Sequence, residues 1–124
     1  MKLKRLIVDL DNTLTKEDVN KDYSEKTPRF SVINTLREYK ANGYEIVIFT
    51  ARNMKTHKGN LGKINIHTLP IITSWLDKHS IPYDEILVGK PWCGEAGFYV
   101  DDRAVRPSEF VELSESEIQT LLSK

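Results

Sequence analysis

Apolar positions along the chain fall into two patterns. Short continuous runs include Leu6-Ile7-Val8, Ile46-Val47-Ile48-Phe49, Ile86-Leu87-Val88 and Phe98-Tyr99-Val100. Such near-continuous runs suit strands of a parallel sheet, buried on both faces. They predict strands over 3–8, 45–49, 85–88 and 97–100. Elsewhere the spacing turns helical: Phe30, Ile33, Leu36 and Tyr39 follow Thr27-Pro28, a capping hydroxyl and a proline suited to a first turn. Asn42-Gly43 ends that helix. Ile72, Trp75 and Leu76 mark a second helix over 69–78, with Thr68 as its expected cap and Pro70 in its first turn. Ser114-Glu115-Ser116-Glu117 is a capping box ahead of Ile118, Leu121 and Leu122. The stretch 16–26 is polar, with Val19 and Tyr23 as its larger apolar groups, and reads as a small flap within 16–29. The stretch 53–68 reads as a loop. Strands alternating with helices predict an α/β fold with right-handed crossovers, and 124 residues suit one domain over 1–124.

Each strand-like run ends in a group able to do chemistry. The first ends in Asp9-Leu10-Asp11-Asn12-Thr13, the second in Thr50-Ala51-Arg52, the third in Gly89-Lys90-Pro91 and the fourth in Asp101-Asp102-Arg103. Open α/β sheets bind ligands just outside the carboxyl ends of their strands. Two carboxylates two residues apart in extended chain share one face and repel, a cost that a hard cation such as Mg²⁺ removes. Taken singly, each ending has a plainer reading. Asp and Asn favour turns, Thr caps, and a loop Lys is usually solvated.

The ordered set resembles the haloacid dehalogenase-like (HAD) phosphatases. Asp9-x-Asp11-x-Thr13 is similar to their first motif, Thr50 to the second, Lys90 to the third and Asp101-Asp102 to the fourth. The resemblance implies a Rossmannoid three-layer sandwich with a mainly parallel sheet, strand order 3-2-1-4, and no large cap domain. It implies that Asp9 is the nucleophile, forming an aspartyl-phosphate, and that Asp11 is the general acid and then the base. Thr50 and Lys90 would complete the catalytic set. Leu10, Thr13, Ala51, Arg52, Lys55 and Arg103 would bind phosphate or substrate. Asp9, Asp11, Asp101 and Asp102 would hold Mg²⁺, with Asp102 as the direct ligand of the last pair. Over 52–110 the text also resembles short bacterial capsule or surface-polysaccharide biosynthesis phosphatases. A small sugar phosphate is the substrate that this implies.

Composition narrows the partners. Eighteen basic and eighteen acidic residues give no net charge, so bulk attraction to nucleic acid or to a membrane surface is not expected. No apolar run approaches the length of a membrane span, and Asp9 interrupts the N-terminal apolar run too early for a signal peptide. The lone Cys93 cannot form an intramolecular disulfide, which fits a cytoplasmic location. Arg52, Lys55, Lys58 and Lys63 lie in 52–67 without an acidic residue, as an anion-gathering loop or a plain solvated one. His57 and His67 lack further ligands nearby in sequence for a zinc site. Without a cap, the resemblance implies an open site, covered by a second copy of the chain or matched to a large substrate. A nucleotidase or polynucleotide 3′-phosphatase keeps the chemistry with another substrate. A non-catalytic binding protein with the same fold has no need of all these groups.

Overall fold

The computed structural model describes residues 2–124. Its chain forms two compact units, one ending at Trp92 and the other spanning Cys93–Lys124.

The first unit is built on three parallel strands: β1 (Arg5–Val8), β2 (Glu45–Thr50) and β3 (Glu85–Val88), in the order β1-β2-β3. Leu6 lies opposite Ile46 and Val8 opposite Ile48, while Ile48 faces Ile86 and Thr50 faces Val88. Ile46, Val47 and Ile48 have no accessible surface, as expected of the middle strand of a covered parallel sheet. Each such side chain stabilises the fold by about 1.5–3 kcal/mol. Helices α1 (Phe30–Ala41), α2 (Leu61–His67) and α3 (Leu69–Lys78) supply the rest of this core. Val32, Ile33 and Leu36 come from α1, Ile64 from α2, and Ile72, Trp75 and Leu76 from α3. Register aligns the carboxyl ends of the strands, so Asp9, Ala51 and Gly89 all leave the sheet at one edge.

Several expectations change in detail. Helix α1 starts at Phe30 rather than at Thr27-Pro28. Pro28 instead forms an antiparallel bridge with Thr15. Lys16 N donates to Thr27 O and Arg29 N to Leu14 O, each at 2.8 Å, so the backbone there closes the base of the flap. Thr68 stands at the N-terminus of α3 without capping it, because its hydroxyl donates to Asn53 Oδ1 at 2.7 Å. The basic stretch read as a loop contains α2, whose start is capped by the Asn60 side chain accepting from Lys63 N.

The expected fourth strand is corrected. Residues 97–100 form no strand, and among the described residues the sheet has three. Phe98 and Val100 are 80% and 89% exposed. A strand exists only with a partner, and the second unit contains no other strand. That unit instead carries α4 (Pro107–Glu112), which the apolar pattern did not reveal, and α5 (Glu115–Leu122). The expected capping box opens α5: Ser114 Oγ accepts from Glu117 N at 3.2 Å, and Glu117 Oε1 accepts from Ser114 N at 2.9 Å. Among the described residues, no helix is long and apolar enough to cross a membrane.

Candidate active site

Asp9 is the first residue past β1. The chain after it turns tightly around the Leu10 carbonyl, which accepts from the N–H groups of Thr13, Leu14 and Thr15 at 3.3, 2.9 and 3.2 Å. Asn12 takes the left-handed conformation within that turn, at φ 61°, which Asn tolerates better than most residues. The turn brings Thr13 back over the first carboxylate, and its hydroxyl donates to Asp9 Oδ2 at 3.1 Å. Lys90 Nζ lies 3.7 Å from Asp9 Oδ1. Burial raises the Asp9 carboxyl above its usual range. Lys90 and the Thr13 hydrogen bond oppose that shift, and the nearby Asp11 charge adds to it.

Lys90 reaches this position by a continuation of the β2–β3 pairing. Its N–H donates to Thr50 O at 3.1 Å. Gly89 makes the turn at φ 88°, where a Cβ would also press on the Leu61 side chain.

Asp11 is gripped by Arg52. Arg52 Nη2 donates to Asp11 Oδ1 at 2.7 Å and Nε to Oδ2 at 3.1 Å, a bidentate pair. The Arg52 side chain is 1% exposed. Its backbone N–H donates to Thr50 Oγ1 at 3.0 Å, so the buried Thr50 hydroxyl accepts there and keeps its own proton to donate elsewhere. The structure therefore brings Asp9, Asp11, Thr13, Thr50, Arg52 and Lys90 together around the ends of three strands.

Other expected residues stand as follows. Leu10 is fully buried, and Ala51 follows Thr50 at the strand end. Lys55 Nζ sits over the Trp92 ring, 5.4 Å from its centroid. The His57 and His67 rings lie 5.7 Å apart. Asp101, Asp102 and Arg103 belong to the second unit and are exposed there, and Asp101 Oδ1 accepts from Arg103 N at 2.7 Å. Arg106 precedes α4, and its N–H donates to Glu109 Oε1 at 2.8 Å.

Two features escaped the sequence reading. Arg52 appeared there as a phosphate ligand, but its grip on Asp11 joins positions 41 residues apart and leaves no local signal. Tyr23 counted only as an apolar group of the flap. Its ring lies under the Arg52 guanidinium, with Cζ 4.1 Å from the ring centroid.

Residues 6–74 match the family model of the haloacid dehalogenase-like hydrolases. The chain belongs to that family. A crystallised protein from Vibrio cholerae is 65% identical, with a TM-score of 0.95 over 98% of both chains. A chain of the Pnkp1/Rnl/Hen1 complex shares the fold at 21% identity and a TM-score of 0.52, over 89% of this chain and 34% of that one. No curated protein matches the sequence. The haloacid dehalogenase-like assignment makes the protein a hydrolase and is consistent with the parallel sheet of the first unit.

The donors at β1 suit a hard cation in kind, since carboxylate and carbonyl oxygens are what Mg²⁺ prefers. Among the described residues, no three His, Cys, Asp or Glu side chains converge as a metal cluster. Mg²⁺ is compatible with a sparse protein set, because it usually keeps several waters and is held by one or two carboxylates plus substrate phosphate.

Proposed function

We propose that the protein is a Mg²⁺-dependent phosphomonoesterase acting through an aspartyl-phosphate on Asp9. One observation carries this reading. A half-buried carboxylate ends the first strand, with a hydroxyl on one oxygen and a lysine beside the other. That arrangement holds a nucleophile in place while Lys90 offers positive charge to an incoming phosphate.

Asp9 attacks phosphorus, and the leaving oxygen takes a proton from Asp11. Asp11 then takes a proton from the water that hydrolyses the acyl phosphate. Arg52 orients Asp11 in its carboxylate form, the form that takes the proton from water in the second transfer. Thr50 donates its hydroxyl proton to a phosphate oxygen, with backbone N–H groups of Leu10, Asp11 and Ala51 beside it. Asp9, the Asp11 carbonyl and the Asp101-Asp102 pair would hold Mg²⁺. The cation supplies neutralisation of charge on the phosphate oxygens.

The substrate we favour is a small sugar phosphate used in surface-polysaccharide synthesis. The text of 52–110 supports that choice through its resemblance to short capsule-biosynthesis phosphatases. Phosphate release from a panel of sugar phosphates, nucleotides and 3′-phosphorylated oligonucleotides, with and without Mg²⁺, tests the reading. The expected result is Mg²⁺-dependent turnover, greatest on a sugar phosphate and absent in Asp9→Asn. Preference for an oligonucleotide, with binding that weakens steeply in salt, would reassign the substrate.

A further inference from the structure

We propose that Tyr23 is a positioning residue which, through Arg52, aims the Asp11 carboxylate at the water that splits the aspartyl-phosphate, so that the 16–26 flap serves the second half of the reaction. The inference rests on the reading of Asp9 as the nucleophile.

Asp11 does not hold its own direction. Its side chain stands in a tight turn and is 37% exposed, so water reaches it. Arg52 Nη2 and Nε each donate to one carboxylate oxygen, and each oxygen keeps a further lone pair for a proton. The aim of Asp11 is thus set by the placement of Arg52.

The guanidinium is held in turn by the flap. Its Nη1 is buried with no hydrogen-bond partner among the described residues, and a buried donor left unpaired is costly. The Tyr23 ring covers one face of the cation, with Cζ 4.1 Å from the ring centroid, and its negative face offsets part of that cost. Without the ring, the guanidinium gains by turning Nη1 toward water, and that turn breaks the bidentate pair with Asp11.

Several contacts keep the ring in place. The base of the flap is closed by the Thr15–Pro28 bridge and by the flanking backbone hydrogen bonds. Its far end is pinned to α3, where Trp75 Nε1 donates to Lys26 O at 2.8 Å. Between these anchors the turn Tyr23–Glu25 packs on the same helix. The two ends of the flap also hold the turn that carries Asp11. Asn12 Nδ2 donates to Glu17 Oε2 at 3.3 Å, and Arg29 Nη2 donates to Asn12 Oδ1 at 3.0 Å.

In the step served, the water oxygen bonds to phosphorus as the phosphorus–oxygen bond to Asp9 breaks. Asp9 leaves as a carboxylate, and the proton of the water passes to Asp11.

Steady-state kinetics on p-nitrophenyl phosphate in Mg²⁺, with acid-quench trapping of the phosphoenzyme, test the inference. The nitrophenolate departs without a proton, so kcat/KM reports formation of the phosphoenzyme, and slow hydrolysis appears in kcat. Tyr23 is 38% exposed, so its replacement leaves the core packing intact, as melting curves would show. Tyr23→Phe keeps the ring face and is expected within about twofold of wild type in kcat. Tyr23→Leu should lower kcat and KM together by about tenfold, leave kcat/KM within about twofold, and raise the fraction of chain trapped as phosphoenzyme. In an Arg52→Lys background, which lacks the paired nitrogens, the Tyr23→Leu effect should shrink. A folded Tyr23→Leu with unchanged kcat and phosphoenzyme level overturns the inference and leaves the phosphatase reading standing. So does a loss confined to kcat/KM, or an undiminished effect in the Arg52→Lys background. A wild type that forms no phosphoenzyme and releases no phosphate overturns both.

Discussion

Asp9 carries a conflict that its neighbours only partly relieve. Burial raises its carboxyl above the usual 3.8, against the pull of Lys90 and Thr13. Folding therefore disfavours the ionised form. The destabilisation is full above the raised value, fades as pH falls through it, and is gone below 3.8. Asp9→Asn is accordingly expected to melt higher than wild type at pH 7 in EDTA, with the two curves converging in acid. The same variant should lose turnover by roughly a thousandfold or more, since no other group supplies the nucleophile. Melting curves across pH and phosphate release test the two halves separately. Gly89 carries a different constraint. At φ 88° an alanine there strains the backbone by about 1–2 kcal/mol. Gly89→Ala should therefore lower the melting temperature, and by shifting Lys90 it should cut turnover more than the stability loss accounts for.

At the scale of elements, the site depends on how strands β2 and β3 are held in register. Asp84, just before β3, exchanges two hydrogen bonds with Ile46. Its N–H donates to Ile46 O at 2.7 Å, and its Oδ2 accepts from Ile46 N at 2.8 Å. Lys40 of α1 closes the arrangement on both carboxylate oxygens, at 2.8 and 2.9 Å. The Lys40 hydrogen bond and then the Ile46 N–H hold the Asp84 carboxyl below its usual 3.8. The stabilisation is present above that value and is lost as pH falls through the depressed one. Asp84→Asn should melt lower than wild type at pH 7, and the gap should close in strong acid. A gap that persists unchanged into acid would show that the carboxylate charge is not its source. The elements themselves were legible where the apolar pattern was strong. β2, α3 and the start of α5 follow the pattern closely, because buried strands and amphipathic helices announce their period. Helix α2 was not legible, since Leu61 to His67 has only Ile64 buried, a glycine, Gly62, sits within it, and Gly59 turns just before it. Thr27-Pro28 read as a helix start because its residue types suit one. The partner across the flap, Thr15, took the backbone first.

At the scale of the whole molecule, the metal roles proposed for Asp101 and Asp102 rest on the resemblance alone. The resemblance assigns Mg²⁺ contacts to Asp101 and Asp102, with Asp102 as the direct ligand. Asp102→Asn should raise the Mg²⁺ needed for half-maximal turnover by about tenfold or more, and Asp101→Asn by less. A larger effect from Asp101→Asn would reverse the assignment. Sequence by itself determined the parallel α/β class, the placing of Asp9, Thr50 and Lys90 at or just beyond strand ends, and the family they point to. It could do so because strand burial and turn chemistry are local, and the motifs lie within a few residues of the runs they terminate. Only the tertiary structure decided that Arg52 grips Asp11 and lies over Tyr23, that Pro28 closes a flap rather than opening a helix, and that 97–100 forms no strand. Each of these depends on a partner distant in the chain, and a pairing between distant positions leaves no period in the sequence to read.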